Sequence, residues 1–255
     1  MRRRARCGWL SGSSAGGVVG DNSAVSAPRR ATLSVIVPVG SGDDSWRALL
    51  PDLTALPSDS EIVLVAVPGE SPADFQTRAF ALTCRTHWIE ATAGRASQQN
   101  AGAAQAHGEV LWFVHADSRV TAATLAALNR YLAAPSGLGY FDLKFLADGP
   151  LAMQLNALGA WLRSRWLRLP FGDQGFVIHA DDFKRLGSFD INAEAGEDHA
   201  LVWQARRARV KLRALNAPMY TSARKYAEHG WWRMTWHHLT ATWRQARRFS
   251  RSSAG

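Results

Sequence analysis

The sequence predicts an α/β fold built on a mostly parallel sheet, and three observations carry that expectation. Four short apolar, β-branched runs fall between residues 33 and 115, a helical stretch follows each, and Gly, Pro or polar residues separate the pieces. Four strand–helix alternations in so short a span imply right-handed βαβ crossovers, with helices covering the sheet.

The first run, LSVIVPV at 33–39, is apolar on both faces, as a buried parallel strand requires, and Gly40-Ser41-Gly42 ends it. A helical stretch from about Asp44 to Leu56 follows. EIVLVAV at 61–67 is the second strand, closed by Pro68-Gly69; residues 72–83 read as a helix and His87–Glu90 as a short third strand. An Ala-rich helix is expected at 95–106, a fourth strand at 110–115 (VLWFVH) and a helix at Thr121–Ala133.

The second half changes character. Residues 139–145 and 175–179 read as strands, 197–207 as a helix, and 210–215 and 217–222 as two short extended pieces. Between them, Leu151, Leu155, Leu158, Leu162 and Leu169, with Trp166, follow helical spacing, and Arg163, Arg165 and Arg168 are interleaved. Residues 228–249 read as one long helix carrying Trp231, Trp232, Trp236 and Trp243. The organisation is therefore a disordered tail at 1–30, one domain at 31–225 and a basic, Trp-rich amphipathic helix and tail at 226–255.

Charge is partitioned along these regions. The chain of 255 residues has a formal charge of +9, but residues 1–30 carry +5, 31–200 carry −7 and 201–255 carry +11. An acidic body with basic ends argues against a nucleic-acid-binding core. Cys7 and Cys84 alone make neither a disulfide framework nor a four-Cys zinc site, so a reducing, cytoplasmic location is expected. The C-terminal helix has three readings: Trp packed on the domain, peripheral contact at the inner face of the cell membrane, or nucleic acid.

In an open parallel sheet, ligands bind at the carboxyl ends of the strands. After the first strand stand Gly40-Ser41-Gly42 with Asp43 and Asp44, a poor dinucleotide fingerprint because two carboxylates repel a pyrophosphate. After the fourth stands His115-Ala116-Asp117-Ser118, read as opening a helix. Asp117 is either a divalent-cation ligand or a helix N-cap. His115 is a metal ligand, a donor to phosphate or a plain strand-end residue. Gly172-Asp173-Gln174-Gly175 precedes a strand, and Glu197-Asp198 opens a helix. Those acids either serve as a general base and its neighbour or complement the helix dipole.

The pieces LSVIVPV, EIVLVAV, GRASQQNAGAAQAHGEVLWFVHADS (94–118), FGDQGFVI (171–178), GEDHALVWQARR (196–207) and TSARK (221–225) occur in a distinctive order. Together they resemble the family-2 glycosyltransferases, closest to a bacterial subgroup in which His-Ala-Asp stands for Asp-x-Asp. The resemblance implies a GT-A fold, Rossmann-like in its sheet, and inverting transfer of a sugar from a nucleotide-diphosphate donor to an acceptor hydroxyl. It implies that Pro38 and Val39 line the nucleobase pocket, and that Arg95, Asn100, His115, Ala116 and Asp117 meet the nucleotide sugar. Asp117 would hold Mg2+ or Mn2+ on the diphosphate. Asp173 and Gln174 would border the acceptor, Asp198 would be the catalytic base, and Glu197 its neighbour. A lipid-linked acceptor would suit the Trp- and Arg-bearing segments. The family's acidic residue after the second strand is replaced by Val67-Pro68-Gly69, which keeps open a GT-A-like binding or scaffold protein without transferase activity.

Overall fold

The computed structural model describes residues 30–224, apart from Ser71, Leu151, Glu194 and Ala195. The tail ahead of Arg30 and the Trp-rich segment of 226–255 lie outside these residues, as does Lys225.

In chain order the elements are β1 (Leu33–Val39), α1 (Trp46–Leu49), β2 (Glu61–Ala66), α2 (Phe75–Phe80), β3 (Arg85–Glu90), α3 (Arg95–Gln105) and β4 (Val110–Phe113). There follow β5 (Ser118–Arg119), α4 (Ala122–Ala133), β6 (Leu138–Phe145), α5 (Met153–Trp166), β7 (Val177–His179), α6 (Ala180–Arg185), α7 (Glu197–Arg207) and β8 (Leu212–Thr221). The strands make one eight-stranded sheet in the order β3-β2-β1-β4-β7-β6-β8-β5. β3, β2, β1 and β4 run parallel, as do β6 and β8, while β7 and β5 pair antiparallel to their neighbours.

The period of two along a strand divides the core into two layers. Val35, Val37 and Val39 of β1 face Trp46, Leu49, Leu125 and Leu128 on one side of the sheet. Ile36 faces the other side with Ala96, Ala103, Phe183 and Leu201. Every residue of β1 and β2 is buried, and each large apolar side chain so enclosed contributes about 1.5–3 kcal/mol.

Three expectations are corrected. The helix expected from 44 to 56 ends its α-turns at Leu49 and continues only as a 3-10 turn over Leu50–Leu53. Pro51 has no N–H for the ladder. The two extended pieces at 210–215 and 217–222 are one strand, β8, with an irregularity in its pairing between Tyr140 and Asp142. Asn216 relieves it by taking a left-handed φ of 55°. No helix opens at Asp117; the chain first makes β5, and Thr121 caps α4 through a reciprocal pair with Thr124. The apolar residues at 152–169 divide: Leu169 is buried in the core, while the large stripe on α5 is turned outward. α5 lies on β6 through Met153, Ala157, Ala160 and Ser164, while Leu155 and Leu158 face solvent. Among the described residues no helix is long and apolar enough to cross a membrane.

Candidate active site

At the carboxyl end of the parallel strands lies an open cleft of about 560 Å³. Asp117, Asp43, Asp44 and Asp148 line it, with Arg119 and Arg224 among them. Arg119 is held by a bidentate pair with Asp52, at 2.6 and 2.9 Å. Asp148 accepts from the Ser222 hydroxyl and the Ala223 N–H, which ties the end of β8 to the cleft wall. The carboxylates after β1, discounted in the sequence as hostile to a pyrophosphate, thus line the same cleft as Asp117. Asp148 was not singled out in the sequence at all; the Asp148-Gly149-Pro150 turn after a strand was the available signal.

Beside the cleft, three segments converge. Gly196 takes a φ of 94°, a left-handed turn that starts α7 with Glu197 and Asp198 in its first turn. Asp198 accepts from the Gly172 N–H at 2.7 Å and from the His199 N–H at 2.8 Å. The separation is close enough that a Cβ on Gly172 would stand 3.3 Å from the Asp198 carboxylate and 3.6 Å from His115 Nε2. So His115 from the end of β4, Gly172 from the turn before β7, and Asp198 from α7 meet at one point. Arg95, the first residue of α3, forms an ion pair with the buried Glu197.

The electrostatics follow from this crowding. Burial alone would raise the Asp198 pKa, but the His199 ring, the Gly172 N–H and Arg95 hold it below the ordinary 3.8. Burial also works against the charge on Arg95, yet Glu197, Asp198 and Asp173 raise its pKa above the usual value. Asp173 behaves oppositely to Asp198. Burial pushes it up to about 6; Arg163 and Arg95 oppose the shift, and the carboxylates of Asp198 and Asp117 add to it. Its Oδ1 is enclosed and has no hydrogen-bond partner among the described residues. Asp117, Asp173 and Asp198 are therefore within electrostatic reach of one another, and two of them are driven apart in pKa.

Of the residues expected at the site, Arg95, His115, Asp117, Asp173, Glu197 and Asp198 are brought together. Ala116 is buried beneath Asp117 in the core. Others are drawn elsewhere. Gln174 is fully buried and its amide is spent: Oε1 accepts from Ser164 and from the Phe171 N–H, and Nε2 donates to the Phe141 carbonyl. It bolts α5 to β6 rather than bordering an acceptor. Asn100 exchanges two hydrogen bonds with the Phe189 backbone, at 2.8 and 3.0 Å, and so ties α3 to the segment after α6. Pro38 and Val39 have buried side chains, and the Val39 carbonyl accepts from Gln98, which also clamps Val65 of β2. Gln98 was not singled out beforehand, although it stands inside the RASQQN stretch.

The donor set suits a divalent cation shared with a substrate. Among the described residues no three acidic, His or Cys side chains form a cage for a metal. Mg2+ and Mn2+ at phosphate-handling sites use one or two carboxylates and take their other ligands from phosphates and water. Asp117 fits that part: it lines the cleft at a strand end, and Thr121 rather than Asp117 caps α4.

No known protein family matches the chain by sequence, and no curated protein does. Solved structures do resemble it. S. aureus TarS 1-349 in complex with UDP-GlcNAc aligns over 76% of this chain and 59% of that fragment, with a TM-score of 0.56 at 19% identity. The mannosyltransferase PcManGT from Pyrobaculum calidifontis, in complex with GDP-Man and Mn2+, aligns over 80% of this chain and 60% of its own, with a TM-score of 0.58 at 17% identity. The chain thus spans about three-fifths of the TarS fragment and of PcManGT, and 37% of the longer TarS chain. The shared architecture is the GT-A fold, a curled sheet flanked by helices.

Proposed function

We propose that the chain is a glycosyltransferase of the family-2 type, inverting and metal-assisted, which moves a sugar from a nucleotide-diphosphate donor to an acceptor hydroxyl. One observation carries the reading. Asp117 at the end of β4, Asp173 before β7 and Asp198 at the start of α7 converge beside an acidic cleft, at the strand ends of a GT-A fold.

In this reading Asp117 holds Mg2+ or Mn2+, which when bound neutralises charge growing on the leaving diphosphate. Arg224, at the cleft wall, adds a second positive group toward the same charge. Asp198 takes the acceptor proton. Each of its oxygens already accepts one backbone N–H, which fixes the carboxylate plane and leaves one lone pair per oxygen. Its lowered pKa keeps it ionised at neutral pH. The Arg95–Glu197 ion pair fixes the start of α7 and so the aim of Asp198.

A second reading of the base rests on Asp173, whose enclosed Oδ1 lacks a partner and whose pKa near 6 suits proton transfer near neutrality. Both readings are tested by donor turnover over UDP- and GDP-sugars with Mn2+. Losing a positioned base costs on the order of 10²–10⁴ in rate. Asp198→Asn is expected to lose that much while keeping Mn2+-dependent stabilisation by the donor. If Asp198→Asn turns over normally and Asp173→Asn does not, the base is Asp173. Donor stabilisation with no turnover of any sugar, in the wild-type chain, would favour a binding protein.

A further inference from the structure

α5 presents its small residues to the protein and its large apolar residues to the outside. Met153, Ala157, Ala160 and Ser164 recur at helical spacing on the face against β6. On the opposite face, Leu155, Leu158, Leu162 and Trp166 recur at the same spacing. Leu155 is 62% exposed, Leu158 53%, Trp166 75% and the adjoining Leu167 62%, with Trp161 at the edge of the stripe. Only Phe80 and Ile191 are comparably exposed large apolar residues elsewhere among the described ones. A contiguous patch of this kind marks a contact surface.

We propose that this face of α5 docks on the surface of an anionic lipid bilayer. Charge selects that occupant over the others. Residues 152–170 contain no acidic residue, and of their three arginines Arg168 is exposed, while Arg165 pairs with Asp142 at 2.8 Å and Arg163 turns inward onto the Phe171 ring. Arg206 at the end of α7 donates to the Leu167 carbonyl and so adds another cation at the rim. A second copy of this face would bring the exposed Arg168 and Arg206 of both copies together, with no acidic residue of 152–170 to answer them. The segment 225–255 is basic too, with Lys225, Arg233, Arg244, Arg247, Arg248 and Arg251 against Glu228. An apolar stripe edged by arginine, with a Trp at one end, is what an interfacial helix offers to acyl chains and anionic headgroups together.

The inner face of α5 touches the candidate site. Ser164 donates to Gln174, and the Arg163 guanidinium stacks 3.2 Å from the centre of the Phe171 ring. One helix therefore separates the bilayer from the turn that carries Asp173. On the transferase reading, this brings a lipid-borne hydroxyl to the site, but the docking does not depend on that reading.

The test is flotation of the full chain with vesicles of phosphatidylcholine, alone or with phosphatidylglycerol, at low and high salt. Binding is expected only with phosphatidylglycerol and is expected to weaken as salt rises. Leu155→Gln, Leu158→Gln and Trp166→Gln together should weaken it at least about tenfold with an unchanged unfolding midpoint, because these side chains are exposed. A wild-type chain that does not float with phosphatidylglycerol vesicles overturns the proposal. So does salt-insensitive binding to the neutral vesicles. If the triple variant binds normally and full-chain Trp236→Gln with Trp243→Gln does not, the contact belongs to the C-terminal segment. If the wild-type chain is a dimer that the triple variant dissociates and that ignores lipid, the occupant is a second copy.

Discussion

Asp173→Asn should stabilise the protein at neutral pH and not in acid. The carboxyl has an ordinary pKa of 3.8 and is pushed up to about 6 in the folded chain, chiefly by burial. The folded state therefore binds this proton more tightly than the unfolded chain does. Stability from the group is fully present below about pH 3.8 and is lost as pH rises through about 6, beyond which the deficit is constant. At about 1.4 kcal/mol for each pH unit between those values, the ionised carboxylate costs about 3 kcal/mol at pH 8. Asparagine is nearly isosteric and cannot ionise, so it removes that cost while keeping the volume. The assay is urea unfolding of the wild-type chain and the variant at intervals from pH 4 to 8. The variant should gain on the wild type as pH rises from 4 to about 6 and then hold its advantage. A difference that stays constant across the range, or one that grows toward acid, would refute the reasoning. A natural residue that weakens its own fold at neutral pH is expected where function requires the charge.

The other substitutions separate structure from chemistry. Thr121→Ala removes the cap of α4 and should cost about 1 kcal/mol in unfolding free energy, with Mn2+-dependent stabilisation by UDP- or GDP-sugars retained. Asp117→Ala should abolish that stabilisation, measured as the shift in thermal midpoint with donor and Mn2+ present together. Gln174→Leu strips partners from Ser164, the Phe171 N–H and the Phe141 carbonyl; buried groups left unpaired should cost about 3 kcal/mol in urea unfolding.

The first half of the fold was legible because its strands are buried on both faces. LSVIVPV and EIVLVAV have no polar side to misplace, and the structure bounds them within a residue of the expected ends. Asp117 and Asp198 were legible as chemistry because position at a strand end or helix start restricts what a carboxylate is for. The sequence left Asp117 balanced between metal ligand and cap. Thr121, four residues on, takes the cap, a contest that only the short β5 reveals. Gln174 and Asn100 have backbone partners that the sequence did not show, for a different reason. A carboxamide has donors and acceptors for either a ligand or a backbone, and the partners that claim these two, Phe141 and Phe189, lie 33 and 89 residues away.

In α5 the spacing of the large apolar residues marks the exposed face and not the buried one. A leucine stripe at helical spacing ordinarily marks the buried face, because apolar area removed from water drives packing. Here the competing stripe of Met153, Ala157, Ala160 and Ser164 lies against β6, and the Ser164 hydroxyl reaches Gln174 at 2.8 Å and the Ala160 carbonyl at 2.7 Å. Leu158 and Leu162 in those places would fill the space that lets the helix approach the sheet and would leave the Gln174 amide without its partner. Once Gln174 commits its amide to β6 and the Phe171 turn, α5 can seat only its small face. The large face is then left outward by the same contacts that hold the turn bearing Asp173 in place. The exposed leucines are thus a consequence of how the site is built, and the fold cannot bury them without unmaking it.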